Sequence, residues 1–325
     1  MRIGSVFTGA GGLDLAVKLV FGAELGWVCE TDPAAARVLE FRFPGVPNLG
    51  CVAEVPWSEV PPVDILCGGF PCTDVSLAGL RAGIHGTRSG LWSHMAEAID
   101  VLRPQFVVIE NVRGLLNANA HRPVESGTGG VGNRPDGLVL RAMGAVLGDL
   151  SDIGGYDARW VTVSAADAGA PHFRERVFIL ASRTGLGFEI GAVPVLRNVD
   201  LLPTPRASDR FGAGHHGNGS MDLRTTVSLL PRTESGVKWG KFAEAVKRWE
   251  RLTRPAPSPV EPGVRLSHRL SAEFSSWMMG WPRRWVTDPA IGIPRKSQLK
   301  IIGNGVVPHQ ADLALRLLLD GRAVG

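Results

Sequence analysis

Short apolar runs alternate with stretches of three-to-four spacing over the first 180 residues or so, and several of the runs end on a glycine or an acid. Runs of four to eight apolar residues bounded in this way predict buried strands, and the longer periodic stretches predict amphipathic helices. Strands are expected at Ile3–Phe7, around Gly26–Cys29, near Leu49–Val52, and at Val63–Cys67, Phe106–Ile109, Trp160–Ser164 and Val177–Ala181. Helices are expected from about Leu13 to Val20, over Leu91–Leu102 and over Leu138–Leu150. Strands that alternate with helices imply an α/β fold around a mainly parallel sheet.

Beyond Ser182 the pattern changes. The stretch from Gly185 to Gly263 carries prolines, glycines and scattered basic residues with little sheet patterning. Its clear amphipathic helix is Lys241–Leu252, with Phe242, Ala245, Val246 and Trp249 on one side. The proline cluster Pro255–Pro262 predicts a stiff connector, and the run Ile302–Pro308 predicts a glycine turn leading into a helix at Gln310–Leu319. The expected division is a catalytic, cofactor-binding domain over 1–184, a small second domain over 185–294, and a segment over 295–325 that returns to the first. Two polar, glycine-bearing stretches, Thr73–Gly90 and Asn117–Gly137, are too irregular for plain connections; the first reads as a mobile functional loop and the second as a surface insertion.

Composition narrows the function classes. A chain of 325 residues with 44% hydrophobic and 20% charged residues fits a globular protein, and no apolar run approaches the ~18 residues of a membrane span. Met1 leads straight into the first strand, so no leader segment is expected. Cys29, Cys51, Cys67 and Cys72 form no Cys-x-x-Cys and have no matching His pair, which argues against a disulfide scaffold or a metal site and for reduced thiols in the cytosol. His215-His216 reads as a polar loop tip. The net charge of +4 permits a polyanionic partner without requiring one.

The candidate chemistry gathers at predicted strand ends, where ligands bind in open α/β folds. Gly68-Gly69-Phe70-Pro71-Cys72 places one thiol behind a tight turn. Phe7-Thr8-Gly9-Ala10-Gly11-Gly12 is a glycine turn between strand and helix, though Asp14 stands where the dinucleotide fingerprint needs a glycine. Glu30 ends the second strand as a candidate acceptor for ribose hydroxyls, and Asp32 reads as the N-cap of the following helix. Glu110 is a candidate acid, and Arg174 with Arg176, two apart on one strand face, are candidate ligands for an anion or a carbonyl.

Taken in order, these blocks resemble the cytosine-5 DNA methyltransferase family. Phe7-x-Gly9-x-Gly11-Gly12, Glu30 with Asp32, Gly69-Phe70-Pro71-Cys72, Arg88-Ser89-Gly90-Leu91, Glu110-Asn111-Val112, Arg174-x-Arg176, Trp277-Met278-Met279-Gly280 and Gly303-Asn304-Gly305-Val306-Val307-Pro308 follow the family's sequence of motifs. The resemblance implies a Rossmann-like S-adenosylmethionine-dependent sheet, with the insert as a smaller target-recognition domain. It implies a Cys72 thiolate that adds to carbon 6 of a flipped cytosine, Glu110 neutralising ring nitrogen 3, Arg176 on the carbonyl oxygen and Arg174 supporting the adduct. For the cofactor it implies Phe7, Gly9, Ala10, Gly11, Glu30, Thr31, Val52, Gly69, Pro71, Leu91, Asn304 and Gly305. Arg81, Arg88, Arg206, Arg210, Arg224, Lys238 and Lys241 are the basic residues expected at duplex DNA. No metal is implied; a monomer is expected, with a cognate restriction endonuclease as a possible partner.

Three positions depart from the family pattern: Cys51 where an aspartate usually meets the adenine amino group, Thr73 for glutamine after the cysteine, and His172 for glutamine before Phe173-Arg174. Two other readings stand beside the first. One is a tRNA cytosine-5 methyltransferase, whose characteristic Cys-Phe-Thr stretch this insert lacks; the other is a catalytically silent DNA-binding paralogue, against which Cys72, Glu110 and Arg176 argue.

Overall fold

The computed structural model describes residues 1–70, 90–116, 119–120, 140–183, 199–211, 221–233, 236–263 and 268–320. The chain runs β1 (Arg2–Val6), α1 (Gly12–Phe21), β2 (Glu24–Cys29), α2 (Pro33–Arg42), β3 (Ile65–Gly68), α3 (Leu91–Leu102), β4 (Phe106–Val112), β5 (Asn119–Ala120), β6 (Leu140–Arg141), α4 (Ala142–Gly154), β7 (Asp157–Ser164) and β8 (Glu175–Ser182). There follow α5 (Leu223–Leu229), β9 (Arg232–Thr233), β10 (Gly236–Val237), α6 (Ala243–Leu252), β11 (Val260–Pro262), β12 (His268–Leu270), α7 (Ala272–Met278), α8 (Arg295–Asn304) and α9 (Pro308–Asp320).

Six strands form the central sheet in the order β2-β1-β3-β4-β8-β7. The β1 to β4 pairings are parallel, while β8 runs antiparallel to both β4 and β7. Ile65, Leu66, Val107, Val108 and Ile109 are fully buried, as the unbroken apolar runs of β3 and β4 require of a sheet covered on both faces. One face carries a cluster with Met95, Ile99, Val146 and Leu150 of α3 and α4; the other packs Val17 of α1 against Ala314 and Leu318 of α9. A third cluster joins the later segment to the first, bringing Leu202, Val227 and Trp249 together with Ala35, Val38, Ala165 and Ala170.

Register positions the functional edge. Val6 pairs with Cys29 and with Gly68, and Gly68 pairs with Ile109, so the ends of β1, β2 and β3 are level with Ile109, three residues before the end of β4. The next residue of each is Phe7, Glu30, Gly69 and Glu110. The chain leaves β1 for β2 on one side and later enters β3 on the other, which makes this a topological switch point.

Several expectations need correction. Leu49–Val52 is no strand: Asn48 makes one bridge to Val28, its side chain bonds both the amide and the carbonyl of Glu30, and Gly50 turns the chain away at φ 78°. The helix expected from Leu138 begins at Ala142, because Leu140–Arg141 pairs with Asn119–Ala120. Lys241 and Phe242 belong to a 3-10 turn ahead of α6. The proline connector ends in a strand, since Val260–Pro262 pairs with His268–Leu270. Ile302, Gly303 and Asn304 are the last turn of α8, and α9 begins at Pro308, where a missing N–H costs nothing. Arg174 and Arg176 lead into an antiparallel strand, which enters the sheet at the edge where β3 and β4 leave it.

Among the described residues, no helix is long and apolar enough to cross a membrane, and no group of three or more His, Cys, Asp or Glu side chains could hold a metal ion.

Candidate active site

A cleft of about 600 Å³ opens over this edge of the sheet. Of the residues expected there, Phe7, Gly9, Glu30, Thr31, Val52, Gly69, Leu91, Asn304, Gly305, Glu110, Arg174 and Arg176 all line it. Ala10 lines a smaller adjoining hollow with Asp14 and Val306, and Gly11 is the left-handed N-cap of α1 at φ 81°. Pro71, Cys72, Thr73, Arg81 and Arg88, with most of the loop to Gly90, lie outside the described residues, as do His215-His216 and most of the Asn117–Gly137 insertion.

The first wall is the turn after β1. Phe7 has φ 54°, a conformation uncommon for a bulky residue and one that needs support from its surroundings. Thr8 supplies part of that support, its hydroxyl donating to Ser5 O or Cys29 O, at 3.2 and 3.3 Å, while its amide reaches Cys29 O. Glu30 supplies the rest: Oε2 accepts the Gly9 amide at 2.7 Å and Oε1 the Asp32 amide at 2.7 Å. A carboxylate has about four acceptor sites, so each oxygen keeps a lone pair for a further donor in the cleft. Desolvation raises the Glu30 pKa above the ordinary value, and the two amides pull it back. Asp32 caps α2, as expected, through Ala34 and Ala35 and also binds Lys300 of α8 at 2.6 Å.

The second wall is the turn after β3. Phe70 is buried against Trp92, ring centroids 5.2 Å apart, and Trp92 donates to Asp149 at 2.8 Å. Asn111 donates its side-chain amide to Phe70 O at 3.0 Å. These contacts fix the chain just before Pro71-Cys72. Gly69 lets the turn pack closely on this carboxylate, because a Cβ there would stand 2.9 Å from Glu110 Oε2 and 3.2 Å from Glu110 O, and Glu110 would have to shift. On the other side of that carboxylate, Arg176 Nε lies 2.9 Å from Oε1. Glu110 and Arg176 therefore form a partly buried pair one residue from the turn that carries the thiol sequence.

Arg174 is placed differently. Its Nη1 and Nη2 donate to Gly303 O at 3.1 Å and Gly305 O at 2.7 Å, at the rim of the cleft. Burial and the neighbouring Arg176 lower its pKa to about 9, which still leaves it cationic at neutral pH. His172 is fully buried, with Nε2 3.1 Å from Met278 O, and burial with the nearby Arg174 holds its pKa near 3, so the ring is neutral and ties the segment before β8 to the end of α7. Cys51 and Cys29 both line the cleft beside Val52, and burial pushes the Cys29 thiol up to about 12.

The basic residues of the later segment divide. Arg206, Lys238 and Lys241 are exposed, Lys241 within 3.5 Å of an equally exposed Asp200, and half-buried Arg210 stacks on the Phe211 ring at 4.4 Å. Arg224 is a correction: it is 7% exposed and turned into Asp222 and Asp209, so it offers no surface charge. What charge and position alone missed was its local pairing, an aspartate two residues before it.

Sequence reasoning also missed Lys300 and Asp14. Lys300 is separated from its partner by 268 residues. Asp14 is 1% exposed, 3.7 Å from Cys67 Sγ and bonded to Ser5, and burial raises its pKa to about 6.

Comparison with known proteins meets this geometry. Residues 1–208 match the family described as C-5 cytosine-specific DNA methylase. Type II methyltransferase M2.BsuMI of Bacillus subtilis (strain 168) is 35% identical over 186 residues, 56% of this chain and 42% of that protein. Type II methyltransferase M.MspI of Moraxella sp. is 25% identical over 93% of this chain and 66% of its own. With M2.BsuMI, M.NlaIV and M.NgoBV, the match spans only 42–44% of the relative's length. The fold resembles the crystal structure of the S. pombe Dnmt2 methyltransferase, with a TM-score of 0.59, 98% of each chain covered and 14% identity.

Proposed function

Because the chain belongs to the C-5 cytosine-specific DNA methylase family, we propose that it transfers a methyl group to carbon 5 of cytosine within a specific sequence of duplex DNA. The observation that carries the reading is the Glu110–Arg176 pair, 2.9 Å apart, beside Gly69, where the chain leaves β3 on its way to Cys72.

S-adenosylmethionine, when bound, supplies an electrophilic methyl group. The cleft fits it: the volume is within the range of cofactor sites, Glu30 keeps acceptor capacity, and Phe7 offers a ring beside exposed backbone. Cys51 replaces an acidic acceptor at the adenine end, so contacts there fall to the backbone near Val52. Thr31, Leu91, Asn304 and Gly305 complete the enclosure.

Carbon 5 of cytosine is a weak nucleophile until carbon 6 is attacked. In the proposed cycle the Cys72 thiolate bonds to carbon 6 and pushes an electron pair into the ring. Glu110 shares a proton with nitrogen 3, and Arg176 bonds the ring carbonyl oxygen, so the charge develops against fixed partners. Carbon 5 would then take the methyl group, with S-adenosylhomocysteine released; a base removes the carbon 5 proton, and the electron pair left behind re-forms the ring double bond as the carbon 6–sulfur bond breaks to return the thiolate. A cytosine stacked in a duplex cannot reach this edge, so it is flipped out at a cost of a few kcal/mol. Residues 185–294 would read the flanking sequence, with Arg206, Arg210, Lys238 and Lys241 at the phosphates. The Type II designation of the relatives supports a pairing with a cognate restriction endonuclease.

Incubation with methyl-labelled S-adenosylmethionine and duplex DNA should place label in DNA at carbon 5 of cytosine, and bisulfite sequencing of that DNA should return one short motif. Label in tRNA alone would favour the RNA reading, and label in neither would favour a silent paralogue.

A further inference from the structure

The last carbonyls of a helix have no partner within it. At the end of α8, Gly303 O and, one residue beyond the helix, Gly305 O are taken by the two terminal nitrogens of Arg174, at 3.1 and 2.7 Å. A cation also suits the negative end of the helix dipole. Arg174 comes from a distant part of the chain and is only 7% exposed. Its backbone is held in turn: Gln310 Nε2 donates to its carbonyl at 2.8 Å, and its amide donates to Thr204 Oγ1 at 3.3 Å. Across α8, Gly303 lies so close to the Arg206–Ala207 peptide that a Cβ at this glycine would overlap it. Asn304 and Gly305 line the cleft, and the same turn is pressed from one side by the later segment and gripped from the other by Arg174.

We propose that Arg174 is a positioning residue: by gripping the Gly303 and Gly305 carbonyls it fixes the rim of the cofactor cleft against the Arg206–Ala207 backbone, so that cofactor affinity depends on it before any target base arrives. The proposal rests on reading the cleft as the S-adenosylmethionine site. It differs from a role confined to the base adduct, because such a role leaves cofactor binding in the absence of DNA unchanged. A lysine in place of Arg174 keeps the charge but presents one compact ammonium where a planar fork spans two carbonyls.

Calorimetric titration of the full chain with S-adenosylhomocysteine, without DNA, separates these roles. Arg174→Lys should weaken binding tenfold or more, while Cys72→Ser should stay within twofold of wild type. Wild-type-like affinity in Arg174→Lys, with turnover lost, would overturn the latch and leave the cleft assignment intact; no binding by the wild type would overturn the cleft assignment instead. Hydrogen exchange on the wild type gives a second reading that does not depend on how the variant folds. The ligand should slow exchange in 301–307 and in 204–210 together, and protection confined to either segment would contradict the coupling.

Discussion

At the scale of single residues, the two carboxyls that the sheet surrounds behave differently because their partners differ. Glu30 is half-buried, and two amides offset its desolvation. Asp14 is fully enclosed, and its bonds to Ser5, a backbone amide and the Cys67 thiol do not offset the desolvation, so its pKa rises to about 6 from 3.8. A carboxyl whose folded pKa is raised contributes stability that is complete below the unfolded value and is lost as pH rises through the folded one. A rise from 3.8 to about 6 corresponds to about 3 kcal/mol. Asp14→Asn, close in shape and uncharged, should therefore be the more stable protein at pH 8, by up to about 3 kcal/mol. That advantage should shrink as pH falls from 6 toward 4. Denaturant unfolding of both proteins across this range measures it, and a pH-independent difference would contradict the assignment.

At the scale of elements, α2 and α8 are joined where the cleft begins. Asp32 does two things there: Oδ1 caps α2 through Ala34 and Ala35, and Oδ2 holds Lys300 at 2.6 Å. Losing a cap of this type costs about 1 kcal/mol. The ion pair adds less, because Lys300 and Asp32 side chains are 44% and 27% exposed. Asp32→Ala should lower unfolding stability by about 1 kcal/mol, and Asp32→Asn, which retains the cap, by a smaller amount; equal losses in the two would put the ion pair ahead of the cap. The cap was legible because Asp-Pro before an alanine run is a local signal. The partner was not, since nothing near Asp32 in the chain points to Lys300. The same contrast holds elsewhere. Strand runs such as Phe106–Ile109 were legible from local hydrophobicity, whereas the failed strand at Leu49–Val52 turned on the Asn48 side chain bonding the backbone of another element.

For the whole molecule, strand register makes a site from residues far apart in sequence. Phe7, Glu30 and Gly69 each follow a strand end, and pairing brings those ends level with Glu110 near the end of β4. Motif order made this much of the cleft readable beforehand. Motif reading did not show that Arg174 grips α8 or that Arg224 is turned inward, because both depend on which backbone or carboxylate the fold brings within reach. The basic residues left exposed, Arg206, Lys238 and Lys241, lie in the later segment, whose apolar residues pack into a cluster shared with the first. In the proposed reaction the Cys72 sulfur must bond to carbon 6 of a cytosine in DNA. Fluorine at carbon 5 cannot leave as a proton does, so methylation of a 5-fluorocytosine should stop at that bonded state. Incubation of the protein with S-adenosylmethionine and a random-sequence duplex library containing 5-fluorocytosine should yield a denaturation-resistant protein–DNA species, joined through the peptide that contains Cys72. A protein that binds S-adenosylmethionine and the duplex yet forms no such species would contradict the account.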